Sequence, residues 1–171
     1  MNFLFTKQTA KTEVLDSVKN FLAEKEFTII KIDQERPWGG FFVIDELQSS
    51  KFKKEFFGHV VESKEEVQGK LSPKILIVEA GKRLSWQYHH RRSEIWKVIG
   101  GEVGVKRSEN DDEGPVETKK INDLISLHQG ERHRLIGLDS WGIIAEIWQH
   151  TDPEHPSDEE DIIRVQDDFG R

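Results

Sequence analysis

Cysteine is absent from the 171 residues. Disulfides, a thiolate nucleophile and Cys-ligated zinc are therefore excluded, and any metal must be held by His, carboxylate or amide oxygen. There is no run of about 18 apolar residues that would cross a bilayer. The opening MNFLFTKQTAK is too short and too polar for a signal peptide. No membrane partner is expected, and a cytoplasmic location is. A long Lys/Arg block is missing as well. With 25 Lys+Arg against 32 Asp+Glu the formal charge is −7, which argues against a nucleic-acid partner, because that affinity comes from neutralising phosphates and releasing counterions. A small anionic ligand held by a local basic cluster stays open.

Bulky apolar groups are present in quantity. Five Trp and ten Phe set the chain apart from disordered sequences, and a chain of this length is most simply one domain able to bury roughly 70% of its unfolded surface. Val14, Leu15, Val18, Phe21 and Leu22 recur at helical spacing, so an amphipathic helix is expected over Thr12–Lys25 with Thr12 as its N-cap. Phe27–Ile32 and Phe41–Ile44 are β-rich and flank the turn Arg36-Pro37-Trp38-Gly39-Gly40. Between Asp45 and Gly69 the residues Phe52, Phe56 and Phe57 suit a short helix ending near Phe57. From Lys74 the pattern becomes short strands between glycine turns: Lys74–Glu79, Leu84–His89, Glu94–Ile99, Glu102–Arg107, Val116–Ile121, Arg132–Gly137 and Gly142–Gln149. That rhythm indicates an antiparallel sandwich or barrel. Residues 1–35 supply the N-terminal helix and strand, 36–149 the barrel, and 150–171 an acidic connector whose Ile162–Val165 docks on the body.

The chemistry concentrates in two stretches. Residues two apart share a strand face, so Ser85, Gln87 and His89 point one way, and Glu94 opens the next strand toward the same point. Asn122–His133 places a second His just after Gly130. One amide oxygen, one carboxylate and two imidazoles then converge inside the barrel, a set suited to Zn²⁺, Mn²⁺, Fe²⁺ or Ni²⁺ with coordination positions left free. Trp38, Trp86, Trp96 and Trp148 read as core. His59, His128, His150 and His155 read as loop or surface histidines, and Ser157–Asp161 as solvated surface.

Gly81, Gln87, His89, Glu94 and Gly101 resemble the first motif of the cupins, with Gln in the place of its first His. Gly130 and His133 resemble the second motif, with His128 where a Pro is usual. The Gln-for-His exchange, with Arg83-Leu84-Ser85 before it and Tyr88-His89-His90 around it, is similar to the cupin domain of type II mannose-6-phosphate isomerases. Arg36-Pro37-Trp38-Gly39, Glu160-Asp161-Ile162, Arg164 and the end from Asp167 to Arg171 extend the likeness, which runs from Arg36 to Arg171 less the Asp45–Gly69 insertion. Trp148 follows Glu146-Ile147 where that family has a Gln. Mannose 6-phosphate and fructose 6-phosphate are the expected substrates, and because some similar chains are called phosphoheptose isomerases, a heptose phosphate stands behind them.

The resemblance implies an all-β cupin, a double-stranded β-helix or jelly-roll barrel, with an N-terminal helix and a short helical insertion. It also implies a homodimer and a metal-dependent aldose–ketose isomerase acting on a small-molecule sugar phosphate. One divalent ion, zinc first, would sit on Gln87, His89, Glu94 and His133. Glu146, on a strand face with Ile144 and Trp148, is the expected proton carrier and His90 the other candidate. Arg83, Ser85, Arg92 and Arg171 are the expected phosphate groups, because the planar guanidinium binds phosphate oxygens in pairs, ahead of Arg36, Arg91, Arg134 and Arg164. A metal cupin of another reaction type, such as a dioxygenase, and a non-catalytic sugar-binding or regulatory module remain as alternatives.

Overall fold

A computed structural model describes residues 3–58 and 70–170. Helix α1 (Lys11–Glu24) buries Val14, Leu15, Val18, Phe21 and Leu22, the stripe expected from their spacing. Its start differs from the expectation. Ala10 is the N-cap in an extended conformation without a side-chain bond, which leaves Thr12 inside the first turn. The 3-10 turn Glu46–Gln48, the helix α2 (Ser49–Phe52) and the π-helical turn Lys53–Phe57 follow one another and end at Gly58, φ 54°. Asp45 opens this run by accepting the Leu47 N–H at 3.0 Å, and the expected end near Phe57 is borne out. No helix among the described residues is long and apolar enough to cross a membrane.

The strands are β1 (Ile29–Asp33), β2 (Gly39–Ile44), β3 (Leu71–Val78), β4 (Trp86–Tyr88), β5 (Arg92–Gly100), β6 (Val103–Ser108), β7 (Glu117–Lys119), β8 (Leu124–Leu127), β9 (Arg132–Gly137), β10 (Gly142–His150) and β11 (Ile163–Gln166). They form two antiparallel sheets, ordered β1-β2-β3-β10-β5-β8 and β11-β4-β9-β6-β7. This is the two-sheet jelly roll of a cupin. The strand β8 was not anticipated. Its four residues alternate exposed and buried, and pairing along Glu94–Lys97 of β5 fixes it. Ile163–Gln166 docks as expected, and does so as a strand beside β4, with Arg164 opposite Gln87.

The period of two along β3, β10 and β5 makes two cores from one sheet. Ile75, Ile77, Ile143, Ala145 and Ile147 face outward and meet α1 and the Phe27, Phe52, Phe56 and Phe57 cluster. Leu76, Val78, Val98, Ile144 and Trp96, joined by Ile125 and Leu127 of β8, face the other sheet, where Val103, Val105 and Leu135 close over them. Within that inner row the character changes along the strand. Ile144 stands opposite Val98 and Leu76, Glu146 opposite Trp96 and Lys74, and Trp148 opposite Glu94 and Ser72. One end of the barrel is therefore filled with hydrocarbon and the other with charge. Gly101 turns β5 into β6 at φ 68°, where a Cβ would stand 2.1 Å from the Trp141 carbonyl oxygen, so only glycine fits.

Phe52 is fully buried, with its ring 4.5 Å from that of Phe56 and 5.6 Å from that of Phe27. Phe52→Ala is expected to destabilise the protein by about 3–5 kcal/mol, read by urea unfolding. The histidines of the barrel lie in the other core, so metal binding by the folded fraction should be unchanged.

Candidate metal centre and cleft

Three strands of two sheets bring the donor residues together. β4 carries Gln87 and leads into His89, β5 carries Arg92, Glu94 and Trp96, and β9 carries His133 directly opposite Gln87. The turn before β9 is set by Gly130 at φ 81°, and its N–H donates to the His89 carbonyl at 2.9 Å. The two histidine loops are thereby tied to each other. His89 Nε2 lies 3.2 Å from Glu94 Oε1 and 3.3 Å from His133 Nε2, and His133 Nε2 lies 3.6 Å from Glu94 Oε2. The ligand atoms of His89, Glu94 and His133 all fall within 4.8 Å of one another, and the three residues are buried. Gln87 lines the same cleft, with its amide oxygen accepting from Ser85 Oγ at 2.6 Å.

The surroundings of the imidazoles decide what the cluster can hold. His133 Nδ1 is 3.0 Å from the Glu131 carbonyl oxygen and His89 Nδ1 is 3.2 Å from that of Asp161. An N–H at each Nδ1 donates to its carbonyl and leaves Nε2 as a lone pair, the arrangement that orients metal-ligating histidines. Burial lowers the His133 pKa to about 4, against the pull of Glu94, so the ring is neutral at physiological pH. For Glu94 burial alone would raise the pKa, but the opposing charges, Arg92 first among them, outweigh it and hold the carboxyl well below its usual range. Two imidazole lone pairs and an ionised carboxylate facing one another suit a borderline divalent cation, with positions left for other oxygens. The chain also aims a cation of its own at this point: Arg92 donates from Nε to Glu94 Oε1 at 2.8 Å, and its Nη2 is 3.1 Å from His89 Nε2.

Beside the cluster opens a cleft of about 60 Å³. Trp38, Phe41, Leu76 and Trp96 give it apolar walls, and Arg36, Lys74, Arg92 and Arg164 give it positive charge. Glu146 lies on its wall. Trp96 Nε1–H is shared between Glu146 Oε1 and Glu94 Oε2, 3.0 Å from each. Glu146 Oε2 has no hydrogen-bond partner among the described residues. Burial, followed by the nearby Glu94 charge, raises the Glu146 pKa to about 8 against the opposing pull of Lys74 and Arg92. Glu146 is thus a carboxyl group that keeps its proton at neutral pH, next to one that cannot.

The other expected site residues are placed differently. Ser85 is buried on the cleft wall. Arg92 reaches the metal cluster instead of the mouth; besides Glu94 and His89 it binds Ser157 Oγ at 2.9 Å and stacks 3.5 Å from the Trp148 ring centre. Its buried strand position leaves its charge nowhere else to be neutralised. Arg83 is outside the cleft lining, where Asp168 accepts from Nε at 2.6 Å and from Nη2 at 2.9 Å. It sits at the open end of the sheet, within reach of the tail carboxylates. His90 is exposed, edge-on to Tyr88, because the turn after His89 directs consecutive side chains to opposite sides. Arg171 and His59 lie outside the described residues.

The sequence reading missed Lys74, Glu159, Asp161 and His150. Lys74 was detectable, since it stands two before Leu76 and four before Val78 in the inward frame of one strand. The Asp161 carboxylate accepts the backbone N–H groups of His90 and Arg91 at 3.1 and 3.0 Å and Ser157 Oγ at 2.6 Å. The run Ser157–Asp161 is therefore in part a buried strap, not solvated surface. His150 is buried too, 2.8 Å from Ser72 Oγ and accepting the Ser157 N–H at 2.9 Å.

His89→Ala is expected to abolish stoichiometric metal binding measured by elemental analysis after dialysis. Asp161→Ala should keep the three donors and weaken metal affinity about 10- to 100-fold, as loss of an outer support does. Glu146 gives a pH signature. An ordinary carboxyl ionises near 4.5 and this one near 8, so its burial costs no stability below pH 4.5 and the cost grows until pH passes 8. A protonated-carboxyl infrared band is expected at pH 7, lost as pH rises through about 8 and absent from Glu146→Gln.

The profile of the family described as Mannose-6-phosphate isomerase C-terminal matches residues 59–167, more than half of the chain. No curated protein matches. Among solved structures, the fold is similar to vicilin from Corylus avellana (hazelnut; TM-score 0.56, 13% identity, 82% of this chain and 36% of that one). It is similar to the oxalate decarboxylase of Lactobacillus farciminis in a formate complex (TM-score 0.54, 13% identity, 78% and 33%). It is also similar to KdgF from Halomonas sp. (TM-score 0.51, 10% identity, 72% and 90%). The chain spans about a third of the vicilin and decarboxylase chains, and at these identities the likeness shows the shared fold alone.

Proposed function

The chain belongs to the mannose-6-phosphate isomerase C-terminal family, a family of cupin domains, and we propose that it is a metal-dependent aldose–ketose isomerase of sugar phosphates, interconverting mannose 6-phosphate and fructose 6-phosphate. The observation that carries this reading is Glu146: a buried carboxyl group with one unpartnered oxygen, on the wall of the cleft that Glu94 of the donor set also lines. Aldose–ketose isomerisation moves one proton from C2 to C1 and another from O2 to O1. The C–H proton needs a carrier whose pKa lies near the working pH, which minimises the mismatch in both directions. Glu146, with its pKa raised to about 8, has that property.

A divalent cation, zinc first among the borderline ions, held by His89, Glu94 and His133 with Gln87 as fourth donor, would polarise the carbonyl and the neighbouring hydroxyl of the sugar. The remaining work falls to side chains of the chain itself. Trp96 Nε1–H fixes the orientation of Glu146 by donating to Oε1, which leaves Oε2 as the oxygen that accepts and returns the proton. Trp38, Phe41 and Trp96 exclude water from the apolar side of the sugar. The cations facing the cleft match the charge of a phosphate ester.

Metal-reconstituted protein is expected to interconvert the aldose and ketose phosphates, and absence of turnover with every hexose and heptose phosphate tested would remove the catalytic reading. Glu146→Gln should lower kcat about 10²–10⁴-fold with metal content retained. One observation favours a second reading. Arg92 already satisfies acceptors of both His89 and Glu94, as a metal-free sugar-binding module would require. Ligand-dependent stabilisation of protein that binds no metal would select that reading.

A further inference from the structure

Lys74 is held where a lysine is expensive to keep. It stands in the inner row of β3, between Val43 of β2 and Glu146 of β10, and is 6% exposed. Its Nζ lies 3.4 Å from the Trp148 ring centre and 5.2 Å from that of Phe41. Arg36 faces the other side of the same cleft, its guanidinium 5.4 Å from the Phe41 ring centre and fixed by Asp33 at 2.8 Å. Arg92 closes the group from β5, stacked on the Trp148 ring. Three cations from β3, β5 and the turn before β2 are thus mounted around two aromatic rings, on elements that cannot move apart.

One carboxylate binds the lysine and feels the charge of the other two. Glu159 Oε1 accepts from Lys74 Nζ at 2.9 Å, and its side chain is 42% exposed. Burial raises its pKa, and the charges of Lys74, Arg92 and Arg36 outweigh this and hold it ionised. Its mounting is the opposite of theirs. Glu159 belongs to a single 3-10 turn, Glu159–Asp161, on the strap outside both sheets. Asp161, two residues on, is anchored by its own bonds to the His89 loop, so the Glu159 side chain can swing to solvent while the strap stays in place.

We infer that Arg36 and Lys74, backed by the charge of Arg92, form an oxyanion subsite that Glu159 fills as an internal surrogate, and that the phosphate group of the ligand enters by displacing it. This deepens the sugar-phosphate reading and rests on it for the identity of the ligand. A phosphate dianion brings more charge and more acceptor oxygens than the carboxylate it replaces. The exchange costs little for the leaving group, because Glu159, 42% exposed already, trades an ion pair at the edge of the cleft for water. Glu159 therefore sets a threshold on affinity: neutral sugars do not displace it, and phosphorylated ones do.

The test uses metal-free protein and inorganic phosphate, measured by titration calorimetry, so that it does not depend on turnover. Glu159→Gln should bind phosphate roughly tenfold more tightly than the wild type. Glu159→Asp, one methylene shorter and fully charged, should fall between the two, and it keeps the proposal testable if the Gln variant does not fold. Lys74→Met should abolish the binding, and Arg83→Ala should not alter it. The same series with mannose 6-phosphate should follow phosphate, whereas unphosphorylated mannose should show no dependence on residue 159. Phosphate affinity that is equal or weaker in both Glu159 variants overturns the proposal. Stronger phosphate binding in a protein that isomerises nothing leaves the subsite standing and removes the isomerase reading instead.

Discussion

The carboxylate of Glu94 is the point on which the buried charges of this protein depend. It faces two imidazole lone pairs, shares the Trp96 N–H with Glu146, and is paired to Arg92. A buried carboxylate persists only when its surroundings offset the lost hydration, and the Arg92 guanidinium and the Trp96 N–H do that here. The consequences spread outward. Because Glu94 stays ionised, Glu146 beside it is pushed to keep its proton, and because Arg92 is committed to Glu94 and His89, it serves the cluster before it serves the cleft mouth. Two carboxyl groups with divergent pKa values, sharing one indole N–H, are what give this cleft its capacity for acid–base chemistry.

The strap from Ser157 to Asp161 is the second determinant. It crosses from the first sheet to the second and supplies groups on both sides, the Asp158 carbonyl to Arg92 of β5 and the Asp161 carbonyl to His89 beyond β4, while Ser157 Oγ braces the strap itself by donating to the Asp161 carboxylate. His150 at the end of β10 holds its near end through the Ser157 N–H. Without these bonds His89, which lies beyond the last residue of β4, would be on a loop with no fixed ring orientation. The centre is therefore built from strands on three sides and from an apparently ordinary acidic loop on the fourth.

Periodicity made most of the fold readable. The stripe of α1, the alternation of β5 and β10 and the glycine turns located the elements within a few residues, since both periods follow directly from backbone geometry. Short elements escaped. β8 has four residues and takes its strand character from β5, and Thr12 looked like a cap while Ala10 took the position. In the site, the proximity of His89, Glu94 and His133 followed from strand parity and a glycine turn, both local. Lys74 carried a signal in its inward frame that went unused. The strap carried none, because a run such as Ser-Asp-Glu-Glu-Asp has the same composition whether it lies in water or against a buried arginine.

Sequence by itself determined the composition of the candidate centre: no thiol, and two imidazoles and a carboxylate at spacings that bring them together. Tertiary structure alone decided which cation goes where. Side chains such as Arg83, Arg92 and Lys74 are long enough to reach several partners, and their choice depends on the carboxylates that other segments bring within a few ångströms: Asp168 for Arg83, Glu94 for Arg92, Glu159 for Lys74. Strand parity is a property of neighbours in the chain, whereas the pairing of buried charges is a property of segments distant in sequence, and only folding brings those together.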